Sequence, residues 1–499
     1  MGELLHRMLE RNARKYPEAE ALVDPAAGVR WTWAQLDRLA TRAAAALQER
    51  GLRKGDRALL YMPNRPEMAV GLFAVWKLGG VVVPANPRFT GFELAHLLRD
   101  SEASLLVHDP ALAPQVSEAL GAEGIPPAAA VPAPELLEEH GREPVLPDDL
   151  SSADLAELIY TSGTTGAPKG AAHTHDSVYA TASMFAYEMS IRPGDRVLNV
   201  MPMTFSAVLN LTVLGATYAG ATNVIGNYTP QLMAQLIQQE RCTLAFGAPV
   251  AYLMMLKLPN LHEYDFSSVK SWTYGGAPMS REQVLAMRER LGPNLYCLYG
   301  LTEAGPNGTF LDPADHEKHA GSVGRRATVN TEIRIVDDEG RDVAPGEVGE
   351  VLLRTTSAMT GYWRNEKATR ETIVDGWIRT GDLARRDEEG FIYIVDRRKD
   401  MVIVGGINVY PREVEEALAT HPGVEECAVF GIPHPEWGET IVAAYVPRGG
   451  AETPAEELRS HCAARLAEYK IPRIFEPVPA LPRNSNGKVL KHELRKRWL

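Results

Sequence analysis

Apolar residues along this chain follow two alternating spacings. Between positions 31 and 50 they recur every three to four residues, which predicts a helix that ends at Gly51, a typical C-terminal cap. Positions 68–78 repeat the helical spacing, and the β-branched run at 81–83 predicts a strand directly after it. Alternation of this kind is typical of layered α/β proteins.

The pattern changes towards the C-terminus. After about position 330 short strands predominate, and they are predicted at 332–336, 349–354 and 390–395. A new unit begins near position 400, with a helix at 413–419 followed by strands at 426–431 and 441–447. Length agrees with this division, because 499 residues exceed the size at which one hydrophobic core keeps growing. We therefore expect two or more domains.

Two segments lack a clear period. Residues 109–150 are rich in Ala, Pro and Glu, and we expect them to form a surface excursion. Residues 197–239 include no charged side chain, and an uncharged segment of this length could span a bilayer. Polar residues such as Asn210 and Asn223 make a membrane span unfavourable, so this segment is expected to be buried protein interior.

Composition excludes several classes of partner and site. The formal charge of −12 gives nucleic acids or anionic membranes no electrostatic attraction. The four cysteines show no paired spacing, which suits a reducing cytoplasm and argues against disulfides or a zinc site. The string His316-Glu-Lys-His319 is one residue short of the zinc-protease HExxH motif and is expected to be a solvated helix face.

The most informative motif is Tyr160-Thr-Ser-Gly-Thr-Thr-Gly-Ala-Pro-Lys-Gly170, which follows a predicted strand at 155–160. It is dominated by Thr, Ser and Gly, and its one charge is Lys169. Glycines let backbone amides approach a ligand and hydroxyls add donors, so such a loop can wrap a polyphosphate. A P-loop is excluded because Pro168 stands where that motif has Gly before its Lys.

This motif resembles the phosphate loop of the adenylate-forming superfamily, which includes acyl-CoA synthetases and aryl-CoA ligases. Further motifs in that family's order are Tyr274-Gly-Gly-Ala-Pro278, Tyr299-Gly-Leu-Thr-Glu303, Gly376-Trp-Ile-Arg-Thr-Gly-Asp382, Asp396-Arg-Arg-Lys-Asp400, Gly405-Gly-Ile-Asn-Val-Tyr-Pro-Arg-Glu-Val-Glu415 and Gly487-Lys488. The resemblance implies a mixed α/β fold. Residues 1–398 would form a large N-terminal domain of layered sheets and helices, and 399–499 a small α+β cap domain with its hinge at Lys399.

The resemblance also implies a nucleotide site. Its phosphate clamp would comprise Thr161, Ser162, Gly163, Thr164, Thr165, Gly166 and Lys169. Glu303 would bind Mg²⁺ and Thr302 would present a hydroxyl to the phosphates; a carboxylate with phosphate oxygens is the usual Mg²⁺ ligand set. The remaining ATP contacts would be Gly275, Gly276, Ala277, Tyr299 and Gly300 at the adenine, Asp382 and Arg397 at the ribose, and Lys488 bridging the substrate carboxylate and the α-phosphate.

A second half-reaction with coenzyme A is implied by three further residues. Lys399 matches the family's hinge position, around which the small domain would rotate. Gly405 and Gly406 would let the pantetheine arm pass close to the backbone, because glycine permits such an approach. These residues favour thiolation over a stand-alone adenylating role.

The acyl pocket is expected to include Phe205, Leu298 and Gly300. Amino-acid-activating relatives place an Asp after the equivalent of Phe205, but here Ser206 follows, and an unpaired buried ammonium would be costly. Leu298 replaces a glycine of many relatives and should shorten or reshape the tunnel. An apolar monocarboxylate is therefore expected, with short-to-medium fatty acids favoured and aryl acids left open.

Three functions remain possible at this point. The first is an ATP-dependent carboxylate–CoA ligase, and the second is an adenylating enzyme that loads a carrier protein or an amine. A nucleotide-binding relative without activity is disfavoured, because Glu303, Asp382, Arg397 and Lys488 are all present. The sequence leaves the oligomeric state open, a homodimer included.

Overall fold

A computed structural model describes residues 3–139, 143–161, 168–483 and 489–498. The chain forms two compact units. The first comprises Met1–Ile333 and Leu353–Arg379, and the second comprises Arg334–Leu352 and Thr380–Leu499. A large first unit and a smaller second unit, both containing helices and sheets, confirm the expected mixed α/β class. Lys399 lies inside the second unit, and its role as a hinge stays a prediction.

The first unit contains two large sheets. One has the spatial order Arg326–Ala327, Gly308–Leu311, Leu295–Gly300, Ser271–Gly275, Leu244–Gly247, Arg196–Asn199, Thr222–Ile225, Glu20–Asp24 and Val29–Thr32. The other has the order Gly361–Tyr362, Lys169–Thr174, Leu155–Thr161, Val81–Ala85, Arg57–Tyr61, Leu105–His108 and Ala129–Pro132. Inner strands of both sheets pair in parallel, as expected for sheets covered by helices.

Helices accompany these sheets, and several begin at capping boxes, such as the one formed by Thr32 and Gln35. They are Leu5–Lys15, Trp33–Glu49, Pro66–Lys77, Gly91–Ser101, Ala113–Leu120, His175–Glu188, Leu214–Ala219, Pro230–Gln239, Pro249–Leu256, Arg281–Leu291, His316–His319 and Glu366–Thr372, with a π-helix at Ala207–Val213. The helices predicted at 31–50 and 68–78 are confirmed. Among the described helices, none combines the length and the apolar character that crossing a membrane would require.

The surface excursion predicted for residues 109–150 is wrong in part. Ala113–Leu120 forms a helix that buries Val116 and Ala119, and Ala129–Pro132 adds a parallel strand to a sheet. Only these two residues of the helix are fully buried, which is too few to mark a helical period. The charge-free segment 197–239 is mostly buried, as expected.

Beyond position 330 most strands pair in the antiparallel direction. One sheet contains Thr331–Val336, Val348–Thr355, Ile373–Val374, Trp377–Arg386 and Ile392–Arg397, of which Ile373–Val374 belongs to the first unit. A further sheet has the order Ile407–Val409, Val402–Val404, Gly438–Pro447 and Val424–His434, with Ile474–Pro477 paired to Gly438–Pro447. The helices of the second unit are Pro411–Ala419, Ala455–Ala463 and Lys491–Arg495. Val409, Leu418 and Leu458 belong to the buried cluster beneath this sheet.

Candidate active site

The described ends of the phosphate-loop motif belong to two antiparallel strands. Strands Leu155–Thr161 and Lys169–Thr174 pair so that Thr161 lies opposite Lys169. The Thr161 hydroxyl donates to the Lys169 carbonyl at 3.5 Å, at the base of the loop. Ser162, Gly163, Thr164, Thr165 and Gly166, all predicted phosphate ligands, lie outside the described residues.

Glu303 is carried by a short 3₁₀ turn, Thr302–Ala304, which follows strand Leu295–Gly300. The turn ends at Gly305, whose φ of 64° is a left-handed conformation that glycine adopts without strain. The peptide N–H of Met359 donates to the Glu303 carbonyl at 2.9 Å. The turn is therefore tied to a second segment of the chain.

Two side chains hold Thr302. His173 Nε2 lies 2.9 Å from the Thr302 carbonyl, and Ser206 Oγ lies 2.9 Å from the Thr302 hydroxyl. Burial lowers the pKa of His173 to about 4, so the imidazole is neutral at pH 7 and donates Nε2–H to the carbonyl. Because Ser206 follows Phe205, this contact joins the predicted acyl segment to the turn that carries Glu303.

Tyr362 connects the two charged residues of the predicted phosphate site. Its hydroxyl donates to Glu303 Oε1 at 2.6 Å, and Lys169 Nζ lies 4.2 Å from the centroid of its ring. Strand Gly361–Tyr362 pairs with the strand that begins at Lys169. The structure thus brings Lys169, at the start of a strand in one large sheet, close to Glu303 and Thr302, which follow a strand of the other.

The predicted adenine contacts lie on neighbouring parallel strands, with Gly275 opposite Leu298. A Cβ at Gly275 would lie 2.3 Å from the Leu298 carbonyl oxygen, and one at Gly300 would lie 2.3 Å from that of Pro306. Both glycines are therefore required by close backbone approach, whatever ligand binds. Gly276 has a φ of 79°, Ala277 is exposed and Tyr299 is half-buried.

Leu298 is only 4% exposed and belongs to a hydrophobic cluster that includes Phe185, Leu211 and Phe310. Leu211 lies in the π-helix Ala207–Val213, directly after the half-buried Phe205. The π-helix is rare in proteins and is frequent at functional sites. Leu298 thus belongs to the same cluster as a residue of the π-helix that follows Phe205, a predicted residue of the acyl pocket.

In the second unit, Asp382 and Arg397 lie opposite each other on paired strands. Arg397 Nε is 2.8 Å from Asp382 Oδ1, and the Asp382 side chain is buried. Lys399 lies exposed in the turn that follows. Lys488, the predicted catalytic lysine, lies outside the described residues.

Gly405 and Gly406 form a two-residue turn between strands Val402–Val404 and Ile407–Val409. Their φ angles of 58° and 83° are those of a hairpin turn that demands φ above zero at both positions. The turn gives both glycines a local structural reason. Their predicted contact with the pantetheine arm stays a prediction.

The helix at His316–His319 corrects one expectation. Both histidines are buried, so a solvated helix face is wrong. His316 Nε2 lies 3.2 Å from the Tyr274 hydroxyl, and His316 Nδ1 lies 2.8 Å from the Asp312 carbonyl oxygen. Burial lowers the pKa of His316 to about 4. The contact with Tyr274, 42 residues away in sequence, could not be foreseen from the local motif.

Comparison with known proteins identifies the family. The model of the AMP-binding enzyme family matches residues 9–363, and that of the AMP-binding enzyme C-terminal domain matches residues 413–488. The chain belongs to the AMP-binding enzyme family. This confirms the resemblance drawn from the motifs.

Three relatives are similar to this AMP-binding enzyme over its whole length. A feruloyl-CoA synthase of Amycolatopsis is 38% identical over 98% of both chains. A long-chain-fatty-acid–CoA ligase of Mycobacterium tuberculosis is 36% identical, again over 98% of both. The solved o-succinylbenzoate CoA synthetase of Bacillus subtilis, in complex with its acyl-adenylate intermediate, is 30% identical with a TM-score of 0.90, covering 98% of this chain and 97% of its own.

A magnesium ion fits the donor set of this AMP-binding enzyme. No group of three or more His, Cys, Asp or Glu side chains that could hold a metal occurs in the described part of the chain. Mg²⁺ is usually bound by one or two carboxylates together with substrate phosphates, so the Glu303 carboxylate beside the phosphate-loop hairpin suffices. The ion would arrive with the nucleotide.

Sequence reasoning missed Tyr362, His173 and Ser206. Each contacts a predicted site residue, but its partner is far away in sequence: 59 residues for Tyr362, 129 for His173 and 96 for Ser206. None of these three residues lies in a motif that would mark such a contact, so the local sequence does not predict them.

Proposed function

We propose that this enzyme is an ATP-dependent carboxylate–CoA ligase that acts on an apolar monocarboxylate. The observation that carries the proposal is the arrangement of Lys169, Tyr362 and Glu303 beside the phosphate-loop hairpin. The proposal is supported because a cation that would bind phosphate and a carboxylate that would bind Mg²⁺ both contact one tyrosine side chain. CoA as second substrate is supported by the CoA ligases among the relatives.

In the first half-reaction, a carboxylate oxygen of the acid attacks the α-phosphorus of ATP and the bond to pyrophosphate breaks. Both reactants are anions, so the site must neutralise charge and align the reacting groups. Lys169 would bind phosphate oxygens, and Lys488 would bridge the carboxylate and the α-phosphate. Glu303 would hold Mg²⁺, which supplies charge neutralisation when bound.

The nucleotide would be oriented at its other end by the remaining residues. The Asp382 carboxylate would accept hydrogen bonds from both ribose hydroxyls. Its ion pair with Arg397, with 2.8 Å between Asp382 Oδ1 and Arg397 Nε, orients the carboxylate. Tyr299 would offer a ring face to adenine, next to the small residues Gly276 and Ala277. Each of these groups binds rather than reacts.

In the second half-reaction, the CoA thiolate attacks the acyl carbonyl carbon and AMP leaves with the bonding electrons. Rotation at Lys399 would bring Gly405 and Gly406 towards the adenylate. We favour a short-to-medium fatty acid as substrate because Leu298 fills space that a glycine leaves open. An aryl acid of the cinnamate kind is the second candidate, favoured by the 38% identity with a feruloyl-CoA synthase.

One assay tests the proposal and separates its alternatives. Pyrophosphate release is measured over a panel of aliphatic and aryl acids, with and without CoA. We expect acid-dependent release and stoichiometric conversion of CoA to its thioester. Pyrophosphate release that never consumes CoA would instead support loading of a carrier protein, and no release with any acid would contradict adenylation.

A further inference from the structure

Tyr362 has no assigned role in the reaction, although it contacts both charged residues of the predicted phosphate site. We infer that Tyr362 is a positioning residue that keeps Lys169 and Glu303 apart and presents each to its own ligand. This inference rests on the proposed function. It concerns how the metal carboxylate and the phosphate-binding lysine are held before ATP binds.

The hydroxyl of Tyr362 fixes the carboxylate. It donates to Glu303 Oε1 at 2.6 Å, a length typical of a charge-assisted O–H···O⁻ bond. A carboxylate oxygen can only accept, so the Tyr362 hydroxyl is the donor in this bond.

The ring of Tyr362 fixes the lysine. Lys169 Nζ lies 4.2 Å from the ring centroid, within the range of a cation–π contact. The ammonium therefore contacts the negative face of an aromatic ring while the hydroxyl at the far end of that ring contacts the carboxylate. Once the ring is removed, we expect the two opposite charges to pair directly and so to mask the groups that phosphate and Mg²⁺ need.

The backbone holds Tyr362 in this position from two sides. Tyr362 pairs with Ala171 on the strand that begins at Lys169, and the peptide N–H of Trp363 donates to the Gly170 carbonyl at 2.7 Å. On the other side, Met359 N–H donates to the Glu303 carbonyl at 2.9 Å. The ring is itself buried with Met359 and Ala171. The tyrosine is thus pre-organised relative to both partners.

Tyr362→Phe separates the two contacts, because it deletes the hydroxyl and keeps the ring. We expect the Kd for Mn²⁺, measured by electron paramagnetic resonance with a non-hydrolysable ATP analogue, to rise about 10- to 100-fold, as for other partners of metal ligands. The Mg²⁺ concentration for half-maximal pyrophosphate release should rise in parallel. Analogue affinity measured without metal should stay near the wild-type value.

Tyr362→Leu removes ring and hydroxyl together. It should weaken Mn²⁺ binding at least as much, and it should also lower analogue affinity without metal, because Lys169 then pairs with Glu303. Tyr61→Phe is the matched control. It deletes a buried hydroxyl outside the predicted site that donates a hydrogen bond to the Phe89 carbonyl oxygen at 2.6 Å. Its metal dependence should be unchanged.

A double-mutant cycle shows whether Tyr362 acts through Glu303. In the Glu303→Gln background, Tyr362→Phe should have little further effect on Mn²⁺ affinity. A folded Tyr362→Phe enzyme with wild-type Mn²⁺ affinity and Mg²⁺ dependence would overturn the inference, and so would a full additional loss in the Glu303→Gln background. Either result leaves the proposed ligase activity intact, because wild-type pyrophosphate release and CoA consumption test that separately.

Discussion

Glu157 is a buried acid whose charge state should control stability across neutral pH. It lies on strand Leu155–Thr161 and is fully buried, with Asn210 Nδ2 donating to Oε1 at 2.6 Å. Its second oxygen, Oε2, has no hydrogen-bond partner in the described part of the molecule. Burial raises the pKa of Glu157 from 4.5 to about 7, opposed by the bond from Asn210.

The sign and size of the effect follow from linkage. Because the folded state holds the proton up to a higher pH than the unfolded state, stability is fully present below pH 4.5 and is lost as the pH rises through about 7. At about 1.36 kcal/mol per pKa unit, the shift corresponds to a loss of about 3 kcal/mol between these limits. Glu157→Gln keeps the shape and the acceptor for Asn210 but cannot ionise.

The free energy of unfolding of the unit that contains Glu157 is measured by urea titration at pH 5, 6, 7 and 8 at constant ionic strength. Relative to wild type, Glu157→Gln should gain about 2.5 kcal/mol between pH 5 and pH 8, whatever its constant offset. The exposed Glu18→Gln is the control and should show a difference independent of pH. A Glu157→Gln difference that is equal at pH 5 and pH 8 would refute the reasoning.

Three further changes test the predicted site and its support. Leu298→Gly should either shift preference towards longer or bulkier acids in a kcat/KM panel or, if Leu298 is only a core residue, cost about 2–5 kcal/mol by thermal melting with the ranking unchanged. Lys488→Ala should abolish adenylate formation but spare thiolation of supplied acyl-adenylate; equal loss of both half-reactions would contradict its role. Lys491→Met removes the 2.8 Å partner of the half-buried Glu415 and should cost about 1.5–3 kcal/mol in urea unfolding, against near zero for the exposed Lys496→Met.

Much of the fold could be predicted because its periodic signals are local. The helix at Trp33–Glu49 and the strand at Val81–Ala85 follow the apolar spacing closely. The helix at Ala113–Leu120 could not be predicted, since Val116 and Ala119 are its only fully buried residues and two positions mark the helical period weakly. The π-helix at Ala207–Val213 could not be predicted either, because an apolar run does not distinguish π from α geometry.

The candidate site divides in the same way. Lys169 and Glu303 were found because each lies in a contiguous motif. Tyr362 and His173 were not found, because each contacts a residue that is distant in sequence and is brought close only by the tertiary fold. At Gly405 a motif can mislead in the opposite direction, by suggesting a ligand contact that the residue need not make. The hairpin turn already requires a left-handed residue at this position. A glycine in a motif is therefore weaker evidence for a ligand contact than a charged residue in a motif.

The same distinction explains why the reaction can be read from the sequence more readily than the substrate. Phosphate is bound by backbone amides and a few charges, which a short segment can supply by itself. The predicted acyl pocket has no such segment, because Leu298 lies on a strand and packs in one cluster with Leu211 of the π-helix and Phe185 of a helix. A change in any one of them alters the shared packing, because interiors are close-packed and transmit volume changes. We therefore expect acid preference to depend on this cluster as a whole, and chain-length profiles of variants at these positions to report it more directly than any motif.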